Sequence, residues 1–226
     1  MFMLLLLSVP AAFAQEVEKG STKSERAVEK PARDFLMLQL TYDGWMRPDS
    51  VNTKGLGRGA NFYICYDFPI KKSNFSFAAG IGIGTSNIYL DNQEISLNDS
   101  TKDQAVIQAE SKDYKRYKLT TAYLEAPFEL RFYGNRINRN KGFKAAVGLR
   151  AGTLLGAHTK GKLSDVRISE KVNTKRFLDT WRFAATARIG WGNFSLFGAY
   201  NLNTLYKDGQ GPEITPYSLG ICITGL

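Results

Sequence analysis

The sequence predicts an all-β chain: an eight-stranded antiparallel up-and-down transmembrane β-barrel with a cleaved N-terminal signal peptide. Three observations carry this. Apolar and polar residues alternate at period two in eight segments from Phe35 onward. The connections between them are alternately short and long. An almost wholly apolar leader ends in a small-residue cleavage pattern. A strand sends successive side chains to opposite faces, so the alternation means two unlike environments.

Met1 to Ala14 reads MFMLLLLSVPAAFA. It is shorter than the roughly 20 apolar residues that a membrane-crossing helix needs. Ala12-Phe13-Ala14 is an A-x-A-like site, so cleavage falls between Ala14 and Gln15. The leader has no Lys or Arg, where a secretory signal starts with a basic segment; a start upstream of Met1 stays open. The alternative reading is a buried N-terminal strand or helix. No Cys follows the run, which argues against a lipid-anchored lipoprotein. Residues 15–33 are polar, with Pro31 and no apolar face, and read as a flexible tail or a short helix. The organisation is signal peptide 1–14, periplasmic tail 15–33 and barrel domain 34–226.

The strands follow in order. The first sets Leu36, Leu38, Leu40 and Tyr42 against Gln39, Thr41 and Asp43. The second sets Phe62, Ile64, Tyr66 and Phe68 against Asn61, Tyr63, Cys65 and Asp67. The third sets Phe75, Phe77, Ile81 and Ile83 against Ser76, Ala78 and three glycines. The fourth sets Leu124, Phe128, Leu130 and Phe132 against Tyr123, Glu125, Glu129 and Arg131. The fifth sets Phe143, Val147 and Leu149 against Lys144, Gly148 and Arg150. The sixth sets Trp181, Phe183, Ile189 and Trp191 against Arg182, Thr186 and Arg188. The seventh carries Phe194, Leu196, Tyr200 and Leu202, and the eighth Tyr217, Leu219, Ile221 and Ile223.

Short turns fall at Lys71–Asn74, Gly134–Lys141 and Gly192–Asn193. Longer loops fall at Met46–Gly57, Asp91–Asp113, Lys160–Arg176 and Lys207–Glu213. Short periplasmic turns and long outer loops are the pattern of outer-membrane barrels of Gram-negative bacteria, and an even strand count puts both termini in the periplasm. Volume decides which face looks out. An eight-stranded barrel is just wide enough for side chains to fill, so roughly thirty bulky apolar groups cannot be inside. They face lipid. Tyr42, Trp45, Tyr89, Tyr133, Trp181, Trp191 and Tyr206 lie near strand ends and suit interfacial girdles.

The inward face then holds Glu125, Glu129, Arg131, Lys144, Arg150, Arg182 and Arg188. Counting from the turns puts Glu125 level with Arg150, and Arg150 level with Arg188. Buried charges persist only when paired. The expectation is a salt-bridge network plugging the lumen; a narrow ion path is the alternative. Cys65 and Cys222 both face inward with the first strand between them, near 10 Å apart and outside disulfide range.

At Tyr123 the sequence reads YLEAPFELRF, and at Tyr200 YNLNTLYKDGQGPEITPYSLGI. These segments resemble the PorT-like outer-membrane β-barrel family of Bacteroidetes-type bacteria. The resemblance spans about residues 34–226 and implies an eight-stranded barrel with no catalytic residues; a few members are tied to protein secretion or gliding. The C-terminus departs from the aromatic ending of many outer-membrane barrels, closing on Thr224-Gly225-Leu226.

Other sites are weaker. His158 points inward by parity, near the outer rim, with Ser164 and Glu170 in the loop beyond. A lipid hydrolase could use them, but no nucleophile motif such as G-x-S-x-G is present. With one His and two Cys, a structural metal has too few ligands. The acidic residues Asp91, Glu94, Asp99, Asp103, Glu110 and Asp113 match no EF-hand spacing. The basic loop Lys160–Arg176 suits lipopolysaccharide phosphates or plain solvation. Lys71, Lys72, Arg136, Arg139 and Lys141 make the short turns basic. The net charge of +9 comes without a basic helix or RNA-binding motif, so nucleic acid is not the expected partner. The reading is a monomeric barrel without cofactor or catalytic residues, in contact with outer-membrane lipid. Its role is structural or interaction-based; the alternatives are an accessory subunit of a secretion or uptake complex and a lipid-modifying enzyme.

Overall fold

The computed structural model describes residues 34–97, 103–164 and 168–225. The leader, its Ala14–Gln15 site and the polar tail lie outside these residues. Eleven strands follow one another: β1 Leu36–Met46, β2 Gly57–Pro69, β3 Phe75–Leu90, β4 Gln93–Ser96, β5 Val106–Ala109, β6 Tyr114–Tyr133, β7 Phe143–Leu163, β8 Ser169–Asn173, β9 Trp181–Trp191, β10 Phe194–Asn201 and β11 Thr215–Thr224. Eight of them, without β4, β5 and β8, pair antiparallel with their chain neighbours. The ring closes where β1 meets β11. Closure leaves no unpaired edge around the barrel. Each of the eight expected segments lies on one of these strands.

Two of the long connections are themselves structured. Residues 91–113 hold the β4–β5 hairpin. In 160–176, β7 runs on to Leu163 and β8 folds back on it, from His158 opposite Asn173 to Lys162 opposite Ser169. A tilted membrane strand needs roughly 9–11 residues. β6 has 20 and β7 has 21, so their outer halves rise past the apolar band.

Along β6 the polarity inverts while the parity does not. From Tyr117 to Tyr133 the odd residues face inward; a register shift between Tyr114 and Arg116 breaks the alternation at the outer end. Near the short turns Glu125, Glu129 and Arg131 are buried, and Leu124, Phe128 and Leu130 are exposed. Toward the long loops Tyr117 and Leu119 are buried, and Lys118 and Thr120 lie on the outer face. The first arrangement belongs to a wall surrounded by hydrocarbon, the second to a wall surrounded by water. The border between them is the rim of the apolar band.

A bulge sits at that border. Leu154 pairs with Tyr123 and Gly156 with Ala122, leaving Leu155 as an extra residue on β7. Beyond it Ala157 and Thr159 are buried, and His158 and Lys160 turn outward. His158 therefore does not face the bore as strict alternation predicts, because one inserted residue flips every side chain after it. The aromatic girdle is also smaller than expected. Tyr42, Trp181 and Trp191 are exposed, but Trp45, Tyr133 and Tyr206 are buried. Trp45 and Tyr133 share the inward parity of Asp43 and Arg131, and Tyr206 lies past the end of β10.

Candidate functional site

The half of the bore near the short turns is filled by ion pairs. Glu125, 1% exposed, is the hub of one cluster. It pairs with Arg182, lies 3.4 Å from Arg150 and accepts a hydrogen bond from the Tyr63 hydroxyl. Arg150 donates to the same hydroxyl at 2.7 Å. Gly84 makes the room: a Cβ there would stand 2.4 Å from Glu125 Oε2.

A second cluster lies deeper. Glu129 Oε2 accepts from Arg131 Nε at 2.8 Å and from Arg188 Nη2 at 3.1 Å. Arg131 also reaches Asp67 at 3.4 Å and the Asp34 carbonyl at 3.3 Å. Asp34 takes the Lys144 ammonium at 2.8 Å. Arg139 folds up from the β6–β7 turn, stacks over Tyr133 at 5.4 Å and donates to the Ser73 carbonyl. Asp43 accepts from Thr41 at 2.8 Å. Five carboxylates (Asp34, Asp43, Asp67, Glu125, Glu129) thus stand among six cations (Arg131, Arg139, Lys144, Arg150, Arg182, Arg188).

All seven charges read as inward-facing (Glu125, Glu129, Arg131, Lys144, Arg150, Arg182 and Arg188) lie in these clusters. The register differs from the count. Arg150 stands opposite Pro127, two residues from Glu125, and opposite Ala184, four residues from Arg188. Arg188 therefore joins Glu129, not the Glu125 cluster. Tyr63 and Asp67 were readable, since they share the inward parity of Cys65. Asp34 and Arg139 lie outside the alternating segments and gave no periodic signal. Cys65 and Cys222 are buried and unbonded to each other.

The mouth is closed differently. Val51, Ile95, Leu97, Phe177, Leu178, Leu205, Tyr206 and Ile214 come from the long connections and pack on Ile88, Leu90 and Leu119 of the raised strands. Backbone bonds join these connections to one another: Asp91 to the Asn52 carbonyl, Ala105 to Gln210, Asp179 to Leu205 and Lys207 to Phe177. At Gly211 a Cβ would lie 2.7 Å from the Tyr206 ring. Between mouth and charged bore, a cavity of about 20 Å³ lined by Trp45, Leu119, Tyr123, Arg182 and Leu205 is water-sized.

The three residues weighed for the alternative of a lipid hydrolase do not converge. His158 stands on the outer face beside Lys118, Lys160 and Lys171; burial and these charges hold its imidazole below the ordinary 6.5. Glu170 sits on the inner face, bound by Lys112 and by Tyr114 at 2.9 Å, which pull its carboxyl below the usual range. Ser164 follows the end of β7, where its backbone N–H donates to the Asp113 carbonyl. Of the acidic loop, Asp91 pairs with Lys54, and Glu94 accepts from Gln108 and Ser111. Among the described residues no three His, Cys, Asp or Glu side chains are grouped to hold a metal.

A family model described as outer membrane protein beta-barrel domain matches residues 39–206. The match starts within β1 and takes in β2 to β10; Asp34 and β11, which closes the ring, lie outside it. No curated protein and no solved structure matches the chain.

Proposed function

The chain belongs to the outer membrane β-barrel domain family, and from that premise we propose a closed barrel whose role is structural or interaction-based, carried by its long-loop end. One observation supports this most: the bore is filled twice, by ion pairs near the short turns and by an apolar core at the mouth. An eight-stranded barrel packed in this way offers surfaces to partners, not a passage. The full chain in planar bilayers is expected to give no steady conductance. A reproducible ohmic channel would overturn the reading.

In this proposal both termini lie in the periplasm and the long loops outside, as even strand number and turn lengths favour. Trypsin added to intact cells then cuts at Lys175 or Lys207. The protein acts as a non-catalytic monomer without nucleic acid; the separation of His158 from Glu170 across the two faces of β7–β8 favours this. The finer kinship with PorT-like barrels rests on the Tyr123 and Tyr200 segments and is part of the proposal. A second reading, an accessory subunit of a secretion or uptake complex, is favoured by exposed Lys71, Lys72 and Lys141 beside exposed Ile70 and Ile137 at the short-turn end. Pull-downs with and without residues 15–33 test it.

A further inference from the structure

Above the apolar band, the outer face of the raised sheet carries a row of cations. Lys118 of β6 stands directly opposite Lys160 of β7, and Lys160 directly opposite Lys171 of β8. One step further from the band, Arg116 faces Lys162. Their neighbours along the strands, Tyr117, Leu119, Thr159 and Gly161, are buried, so the cations point outward. Among the described residues of these strands no carboxylate shares that face. Glu170, the one acid of β8, is turned to the inner face by Lys112 and Tyr114.

Like charges directly opposite on a sheet repel, and three in a row across three strands is a costly arrangement for a structural surface. An anion lying across the row removes that cost. One member of the row is held in place: Lys118 Nζ donates to Asn87 Oδ1 at 2.7 Å and lies 6.0 Å over the Tyr89 ring. His158 shares this face, where burial first and then Lys171, Lys118 and Lys160 disfavour its charged form.

Height identifies the kind of anion. Leu155 and Leu124 are the last exposed large apolar residues of β7 and β6 below the row. Lys160 and Lys118 lie five and six residues beyond them, which at roughly 3.4 Å per residue and about 45° of tilt is on the order of 12–14 Å above the hydrocarbon edge. Lysine stems lie along the wall with their heads in the polar layer. That level is high for a phosphate bonded directly to a glycerol lipid and fits one carried on a sugar.

We propose that the Lys118–Lys160–Lys171 row docks the phosphorylated sugar headgroup of a membrane lipid whose acyl chains lie against the apolar wall below. This rests on the reading that the long-loop end meets the outer leaflet. The test uses the full chain in nonionic detergent, mixed with diphosphorylated lipid A, enzymatically dephosphorylated lipid A or inorganic phosphate, with binding read by native mass spectrometry. Diphosphorylated lipid A is expected to bind at least tenfold more tightly than the dephosphorylated form. The triple variant K118Q/K160Q/K171Q is expected to lose on the order of tenfold to a hundredfold in affinity, and Lys207→Gln none. Should the triple variant fail to fold, Lys171→Glu alone, on the exposed edge strand, is expected to weaken binding at least fivefold. Equal binding of both lipids, full binding by the substituted protein, or competition by inorganic phosphate at lipid concentration would each overturn the site. Lipid binding that persists while trypsin fails to reach Lys207 in intact cells overturns the orientation and leaves the site standing.

Discussion

The two ends of the bore are closed by opposite chemistry. Near the short turns, Glu125, Glu129 and Arg131 fill the interior while Leu124, Phe128 and Leu130 face out. At the mouth, Leu119, Leu178 and Ile214 fill the interior while Lys118 and Thr120 face out. The difference teaches where the solvent changes. In hydrocarbon, moving an apolar side chain from the outer wall to the bore gains nothing, so the bore is held by ion pairs and hydrogen bonds. In water the same move is worth about 25 cal/mol per Å² buried, so the raised strands and their loops pack like an ordinary soluble core. One continuous strand, β6, crosses from one regime to the other without changing which parity faces in.

The charged end should be the more brittle. Glu125→Gln leaves Arg150 and Arg182 without their carboxylate and is expected to cost about 3–5 kcal/mol. The readout is the temperature at which the folded band converts to the unfolded one in detergent gels; an unchanged transition would count against the network. A double variant, Glu125→Gln with Arg182→Gln, should recover part of the loss. At the mouth, Leu178→Ala removes a fully buried side chain and should cost about 2–4 kcal/mol. Its effect should appear first as faster proteolysis between β10 and β11, because the mouth can open without the ring coming apart. Loss of the whole barrel at the same temperature would merge the two ends into one unit.

The border can be mapped with a single side chain placed at two heights on the outer face of β6. Phe128→Lys sits in the apolar band and should cost roughly 2–4 kcal/mol. Thr120→Lys sits above it, loses one hydrogen bond to Asn87 and should cost only about 1 kcal/mol. Equal costs, measured by denaturant titration in the same lipid, would place the border elsewhere. The smallest expected effect concerns pH. Hydrogen bonds from Lys112 and Tyr114 depress the Glu170 carboxyl below its ordinary 4.5. A depressed folded value means the contact contributes stability above 4.5 and loses it as pH falls through the folded value. Protease cuts near β8 should therefore accelerate only in that acidic window. Near neutrality, Lys171→Gln should move the His158 titration, followed by imidazole NMR shifts, upward toward 6.5.

Much of this was written in the alternation. The eight segments, the short turns and the inward set Glu125, Glu129, Arg131, Arg150, Arg182 and Arg188 follow from period two and the small volume of an eight-stranded bore. The polarity reversal was also present in the letters: Tyr117 and Leu119 are apolar at odd positions, where Glu125 and Arg131 are charged. It is invisible to a reading that ends the strand where one pattern stops. Trp45 and Tyr133 follow the same lesson, since their parity, not their aromatic character, fixed their side.

By itself the sequence determined the eight strands of the barrel, the greasy outer wall and the charged inner face, because a period-two pattern in a narrow closed sheet admits one arrangement; the β4–β5 hairpin and β8 were not in it. Tertiary structure alone decided the partners across the bore, the outward turn of His158 at the Leu155 bulge, and the burial of Asp34, Arg139 and Tyr206. These depend on shear between strands, on one inserted residue and on loops meeting far along the chain, none of which leaves a local periodic trace.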